Sequence, residues 1–153
     1  MWTQRQDKLE TEGVVAVYSQ EFAKLWFKLS KDMKLFMEGQ LAPSLTEGQL
    51  YVLEYLLARE DVKMKPSDLV DYLSTTPAAI TTLLDRMERA NLIVRERDDK
   101  DRRIVWVVVT DTGKQECRRG VSLRQQFLDG YLNRISAHNQ QVLVYLLGKV
   151  ANL

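Results

Sequence analysis

Arg95-Glu96-Arg97-Asp98-Asp99-Lys100-Asp101-Arg102-Arg103, followed by Ile104-Val105-Trp106-Val107-Val108-Val109-Thr110, is the stretch whose reading decides the fold. Its first half is a dense cluster of both charges. Its second half is β-branched and free of Gly and Pro. In a strand, Val105, Val107 and Val109 share one face, and Ile104, Trp106 and Val108 share the other. A shorter apolar run, Leu92-Ile93-Val94, precedes the cluster. Two short strands around a charged tip make a hairpin. The tip, taken as Arg95 to Arg103, is too charged for a core and too basic for an ordinary turn. Five cations stand against four acids there, a net of about +1.

The chain around it is 153 residues long, 45% hydrophobic and 28% charged, with a formal net charge of +1. That suits one globular domain with a core of its own. Any nucleic-acid affinity must come from local basic charge. A single cysteine, Cys117, excludes an internal disulfide framework and a multi-cysteine metal site. A single histidine, His138, excludes a His-rich site within one chain. No apolar run reaches the length of a membrane span, and the N-terminus is no signal peptide, so a cytoplasmic protein is expected. No histidine neighbours a serine or the cysteine in sequence, and there is no phosphate loop or metal motif. Catalysis, cofactors and metals are therefore not expected.

Upstream, residues 1–11 read as a loose lead-in. From about Glu12 to Glu38, Val15, Tyr18, Phe22, Leu25, Trp26, Leu29, Met33, Phe36 and Met37 recur at helical spacing. Such a helix, roughly 40 Å long, either crosses the molecule or packs on a second chain. After a loop with Pro43, Thr46 and Gln49 form a capping box for a helix carrying Leu50, Leu53, Leu56 and Leu57 and ending near Arg59. Glu60 to Lys65 connects it to a short helix that opens at Pro66. Thr76 caps the next helix, with Pro77 at its first position. That helix spans about 77–90. It turns Ile80, Leu83, Leu84 and Met87 to the core, and Ala78, Thr81, Thr82, Asp85, Arg86 and Arg89 outward. Asn91 follows as a left-handed cap.

Two short helices joined by a tight turn, then a basic hairpin, describe a winged helix-turn-helix. Small outward residues allow close approach to a groove, and threonine offers a hydroxyl and a methyl to base edges. Arg86 and Arg89 reach toward a phosphate backbone. Beyond Thr110, a helix to about Arg134 carries Cys117, Val121, Leu128, Tyr131, Leu132 and Ile135. A last helix, capped by Ser136, carries Val142, Leu143, Leu146, Leu147 and Val150 up to the end at Leu153. On its helix stripe Cys117 reads as a packed thiol rather than a redox sensor. His138 has no ligand partner.

These residues resemble the MarR family of winged-helix bacterial transcription regulators. The resemblance covers nearly the whole chain and is strongest from Leu45 to Gly113. It rests on Leu45-Thr46 with Gln49 and Leu53, and on Thr81 with Leu84-Asp85-Arg86-Met87-Glu88. Most specific are Arg95, Asp98, Asp101-Arg102-Arg103, Val107, Val109-Thr110 and Gly113, similar to the family's wing signature R-x-x-D-P-x-D-x-R followed by L-T-x-x-G. Asp99 departs from the usual proline, Asn91 from a glycine, and Val109 from a leucine. Thr82 stands where some members carry a basic residue.

The resemblance implies a mainly α fold with a small β wing. Helices at about 12–40 and 111–153 would dimerise, and 45–110 would form the DNA-binding lobe. It implies a homodimeric repressor on a pseudo-palindromic operator in double-stranded DNA. The helix at 77–90 would enter the major groove and the wing at 95–109 the minor groove. Thr76, Pro77, Ala78, Thr81, Thr82, Arg86, Arg89, Lys100, Asp101, Arg102 and Arg103 would form the interface. Arg103 would enter the minor groove with Asp101 orienting it. A small-molecule effector pocket would involve Trp26, Met33, Tyr51 and Tyr55. The alternative is a winged-helix protein-interaction module with weak or no DNA binding.

Overall fold

The computed structural model describes residues 2–59 and 61–152, with side chains from Val17 onward. The expectations for the side chain of Val15, for Glu60 in the connection and for Leu153 lie outside the described residues. In chain order the elements are α1 (Trp2–Leu41), α2 (Glu47–Leu57), α3 (Pro66–Tyr72), α4 (Pro77–Arg89), β1 (Ile93–Arg97), β2 (Val105–Val109), α5 (Asp111–Leu132) and α6 (Ala137–Val150). The chain forms two compact units, Met1–Phe36 and Met37–Leu153. The fold is mainly helical with a two-strand antiparallel wing, as the sequence led us to expect.

The N-terminal unit is helical from Trp2, so the expected loose lead-in is incorrect over residues 2–11, and Met1 lies outside the described residues. Thr3 to Glu12 holds Gln, Arg, Lys, Leu and Glu without Gly or Pro. These are adequate helix formers, and a helix that has already nucleated extends through them without an apolar stripe. Farther along this unit Tyr18, Leu25, Trp26 and Phe27 are exposed. Phe22 stacks on Trp26 at 6.2 Å between ring centroids.

The second unit holds the core. Met37 and Leu41, at the end of α1, are buried together with Leu50, Val52 and Leu53 of α2, Leu69 of α3, Ile80, Leu84 and Met87 of α4, and Leu92 and Ile93. Local chemistry sets each helix start. Thr46 Oγ1 accepts from Gln49 N at 3.3 Å while Gln49 Oε1 accepts from Thr46 N at 2.9 Å, closing the expected capping box. Pro66 opens α3, and Thr76 caps α4 ahead of Pro77. Thr110 Oγ1 accepts from Gly113 N at 3.0 Å to start α5, and Ser136 caps α6. Asn91 adopts the left-handed region at φ 56°, the conformation that Asn tolerates better than most residues.

Two long-range contacts fix the frame. Arg119 of α5 donates to the carbonyls of Gln40 and Leu41 at 2.9 and 3.1 Å, satisfying the last turn of α1. It is held there by Ser44 and Glu116. Arg124 forms a two-point pair with Glu54, joining α5 to α2.

The hairpin differs from expectation at its tip. In the β1–β2 register Ile93 faces Val109, Arg95 faces Val107, and Arg97 faces Val105. Arg95 to Arg97 therefore belongs to strand β1, and the tip is the shorter Asp98 to Ile104. The ladder extends this far because Arg95 has partners on α4 that hold it in the strand. Met64 adds a single antiparallel bridge to Val107, with Val107 N donating to Met64 O at 2.9 Å.

Candidate nucleic-acid interface

The outward side of α4 presents the expected residues. Thr76, Pro77, Ala78, Thr81, Thr82, Arg86 and Arg89 are all exposed. Thr76 Oγ1 is engaged as the cap, accepting from Ala79 N at 3.2 Å. Thr81 and Thr82 donate their hydroxyls to the carbonyls of Pro77 and Ala78 at 2.9 and 3.0 Å. Each hydroxyl is thereby tied to the backbone of its own helix. Arg89 Nε donates to Asp85 O at 3.2 Å. The turn before α4 passes through Ser74 at φ 47° and is closed by Thr75 N donating to Val70 O. This turn sets where α4 begins.

At the wing tip Lys100, Arg102 and Arg103 are exposed and Asp101 is half-buried. Asp101 holds Arg103 by two parallel bonds, Nε to Oδ1 and Nη2 to Oδ2, both 3.0 Å, and accepts from Arg103 N at 3.1 Å. The Arg103 side chain is nonetheless 91% exposed. The bidentate bond from Arg103 lowers the Asp101 carboxyl from its ordinary value, and the carboxylate raises Arg103 in return.

Asp98 builds the turn itself. Its Oδ1 accepts from Lys100 N and Asp101 N, both at 2.9 Å, and its Oδ2 accepts from Trp106 Nε1 at 3.0 Å. The bond from the Asp101 amide leads in lowering its carboxyl, followed by the Trp106 indole, the Lys100 amide and the charge of Lys63. Carboxylates that accept several donors are held in the charged form. Asp98 had a place in the sequence signature but no assigned role. So did Arg95. Arg95 Nη2 meets Asp85 Oδ1 at 2.7 Å, Nη1 lies 3.8 Å from Glu88 Oε2, and its amide donates to Glu88 Oε1 at 3.1 Å. Arg95 thus fastens the wing strand to α4. The ten-residue separation of Asp85 and Arg95 spans two elements and follows no helix or strand period, so only their opposite charges could have hinted at it.

Of the expected effector residues, Tyr51 is exposed, and Tyr55 stacks on Tyr72 at 3.8 Å with Arg59 over its ring. Trp26 and Met33 belong to the N-terminal unit. Cys117 is buried, and burial first, then the nearby Glu54 charge, pushes its thiol up. A thiol so placed is a poor nucleophile. Among the described residues no cluster of three His, Cys, Asp or Glu could hold a metal ion, and no helix is long and apolar enough to cross a membrane.

The family model described as MarR family matches residues 44–104. The chain is similar to the HTH-type transcriptional repressor YetL of Bacillus subtilis (strain 168), at 31% identity over 129 residues, covering 84% of this chain and 73% of the relative. Its fold is similar to that of the YusO protein from Bacillus subtilis, with a TM-score of 0.76, 26% identity, and coverage of 92% of this chain and 96% of that one. It is also similar to a mutant MarR from E. coli complexed with operator DNA, with a TM-score of 0.64, 26% identity, and coverage of 85% and 93%.

Proposed function

The chain belongs to the MarR family of DNA-binding transcriptional regulators, and we propose that it acts as a homodimeric repressor on a pseudo-palindromic operator. In this reading α4 enters the major groove, where Ala78, Thr81 and Thr82 approach base edges. Arg86 and Arg89 contact phosphates. The wing tip reaches the adjacent minor groove through Arg103. The family is one of regulators and not of enzymes.

One observation carries the reading: a guanidinium that is 91% exposed yet fixed in direction by a bidentate carboxylate. An exposed ion pair adds little to stability. An oriented arginine suits a narrow, electronegative minor groove. Lys100 and Arg102 flank it. Repression, rather than activation, is taken from the character of relatives such as YetL. The exposed apolar side chains of α6, with Val144, Tyr145, Leu146 and Val150 foremost, support a second copy as the dimer partner. The proposal places this regulator inside the cytoplasm.

The test is selection of bound duplexes from a random library by the purified chain, followed by titration at low and high salt. The expected result is an inverted repeat whose half-sites lie about one helical turn apart, with affinity that falls as salt rises. Absence of binding at low salt would favour the protein-interaction alternative, which the nearly balanced charge of the tip otherwise leaves as the second reading.

A further inference from the structure

The fold brings two lysines to the wing from outside it. Met64 bridges Val107, so the connection before α3 runs beside β2 for one residue pair. Side chains along an extended chain alternate between faces. Met64 and Val107 are both buried on the core side, while exposed Lys63 and half-buried Lys65 lie on the other side with Trp106. There Lys63 Nζ stands 5.7 Å and Lys65 Nζ 5.4 Å from the centroid of the Trp106 ring. A ring attracts an ammonium without consuming its N–H donors.

The backbone fixes where Lys65 stands. It is the N-cap residue of α3, its amide donates to Asp68 Oδ2 at 2.7 Å, and Pro66 follows at the first helical position. A lysine side chain has donors and no acceptor, so its ammonium takes no part in that cap. The nearby acids are engaged elsewhere. Asp98, whose carboxyl feels the Lys63 charge, accepts from three donors. Asp101, whose carboxyl feels the Lys65 charge, is bonded at two points to Arg103. The tip from Arg95 to Arg103 has a net charge of only about +1, and its Arg95 is tied to Asp85 and Glu88. Lys63 and Lys65 add positive charge beside it from far upstream in the chain.

From this placement we infer that Lys63 and Lys65 form a phosphate-binding patch for the DNA backbone that separates the groove entered by α4 from the groove reached by the wing. The first helix of a helix-turn-helix crosses the backbone. Lys65 stands where that helix, α3, begins, and its charge reaches Asp101 at the wing tip. The patch thus joins the two groove contacts along the strand between them. The inference rests on the operator reading above and adds to it a contact that positions the duplex without reading its sequence.

The test is titration of the full chain with a random duplex and with the selected duplex across a range of salt concentrations, read by fluorescence anisotropy. Lys65→Gln is expected to weaken both duplexes alike, keeping their affinity ratio within about twofold. It should also lower the slope of log affinity against log salt by about 0.9 per bound subunit. Lys63→Gln should do the same, and the double variant about twice as much. Lys63→Arg and Lys65→Arg keep the charge and should keep the slope. Partial unfolding would weaken both duplexes without changing the slope, so the slope separates a lost contact from a lost fold. A wild-type chain that binds neither duplex at low salt would overturn the operator reading and this inference with it. Wild-type binding with an unaltered slope in the double variant overturns this inference alone. So does weakening confined to the selected duplex, or a slope lost equally in the arginine variants.

Discussion

Arg103 and Asp101 illustrate a division of labour between neighbouring side chains. The pair is exposed, so its energetic value to the fold is small. Its geometric value is large, because a two-point bond fixes the direction of the guanidinium. Arg103→Ala is therefore expected to leave folding intact and weaken operator binding by about 1–3 kcal/mol, as measured by fluorescence anisotropy on the selected duplex. A folded variant that binds like wild type would remove the assigned role. Asp98 works one step behind, shaping the turn that presents the pair. Its carboxyl is lowered in the folded wing, first by the Asp101 amide and then by the Trp106 indole. The sign follows directly: a depressed carboxyl contributes fully above the ordinary range near ~4 and loses that contribution as pH falls through the lowered folded value. The Trp106 indole NMR signal should therefore hold constant from neutral pH down to about 4 and change only below it. A midpoint above the ordinary Asp value would contradict the three-donor arrangement.

At the scale of elements, what is legible in the sequence is what local chemistry decides. Thr46 with Gln49, Thr76 with Pro77, Asn91 and Ser136 all act within a few residues, and each marks a helix boundary where the structure has one. The helix-turn-helix and the wing follow from those boundaries and from the β-branched run. Contacts set by the fold were not legible. The Arg95–Asp85 bond, the Trp106–Asp98 bond and the Arg119 cap on α1 join residues whose spacing carries no period. The Met64 bridge is too short to read, since one buried residue stands between exposed Lys63 and half-buried Lys65. Gly113 lies between these cases. The signature gives it a place, and the structure gives it a reason. A Cβ there would meet Leu92 O at 2.1 Å and Val109 Cγ1 at 2.8 Å, at the point where Thr110 N also donates to Leu92 O. Backbone, rather than a flexible side chain, blocks the space. Gly113→Ala should lower stability by about 1–3 kcal/mol, visible as an earlier urea midpoint. An unchanged midpoint would mean that the start of α5 can move away from Leu92 at little cost.

For the whole molecule, the remaining question is what covers its apolar surfaces. Solitary exposed apolar side chains are ordinary on a globular protein, but a contiguous set marks an interface. On α6, Val142, Leu143, Val144, Tyr145, Leu146, Leu147 and Val150 are all exposed, and no residue of that helix is buried. The N-terminal unit independently exposes Tyr18, Leu25, Trp26, Phe27 and Leu35. Helices so apolar gain little from water on every side, since their stability in a protein comes from packing one face. A second copy of the chain offers the same surfaces in return, as a two-fold interface requires. The proposed operator mode needs that symmetry as well, because two half-sites call for two α4 helices. Removal of residues 137–153 strips α6 while leaving the capped helices and wing of residues 45–110 in place. The truncated chain is expected to sediment as a monomer or to precipitate, and the full chain as a dimer. Operator affinity should fall further than loss of one wing contact would cause, because each half-site is then bound alone. A truncated chain that sediments as a well-folded dimer would move the interface away from α6, and a well-folded, soluble full-length monomer would remove the basis for a two-fold operator.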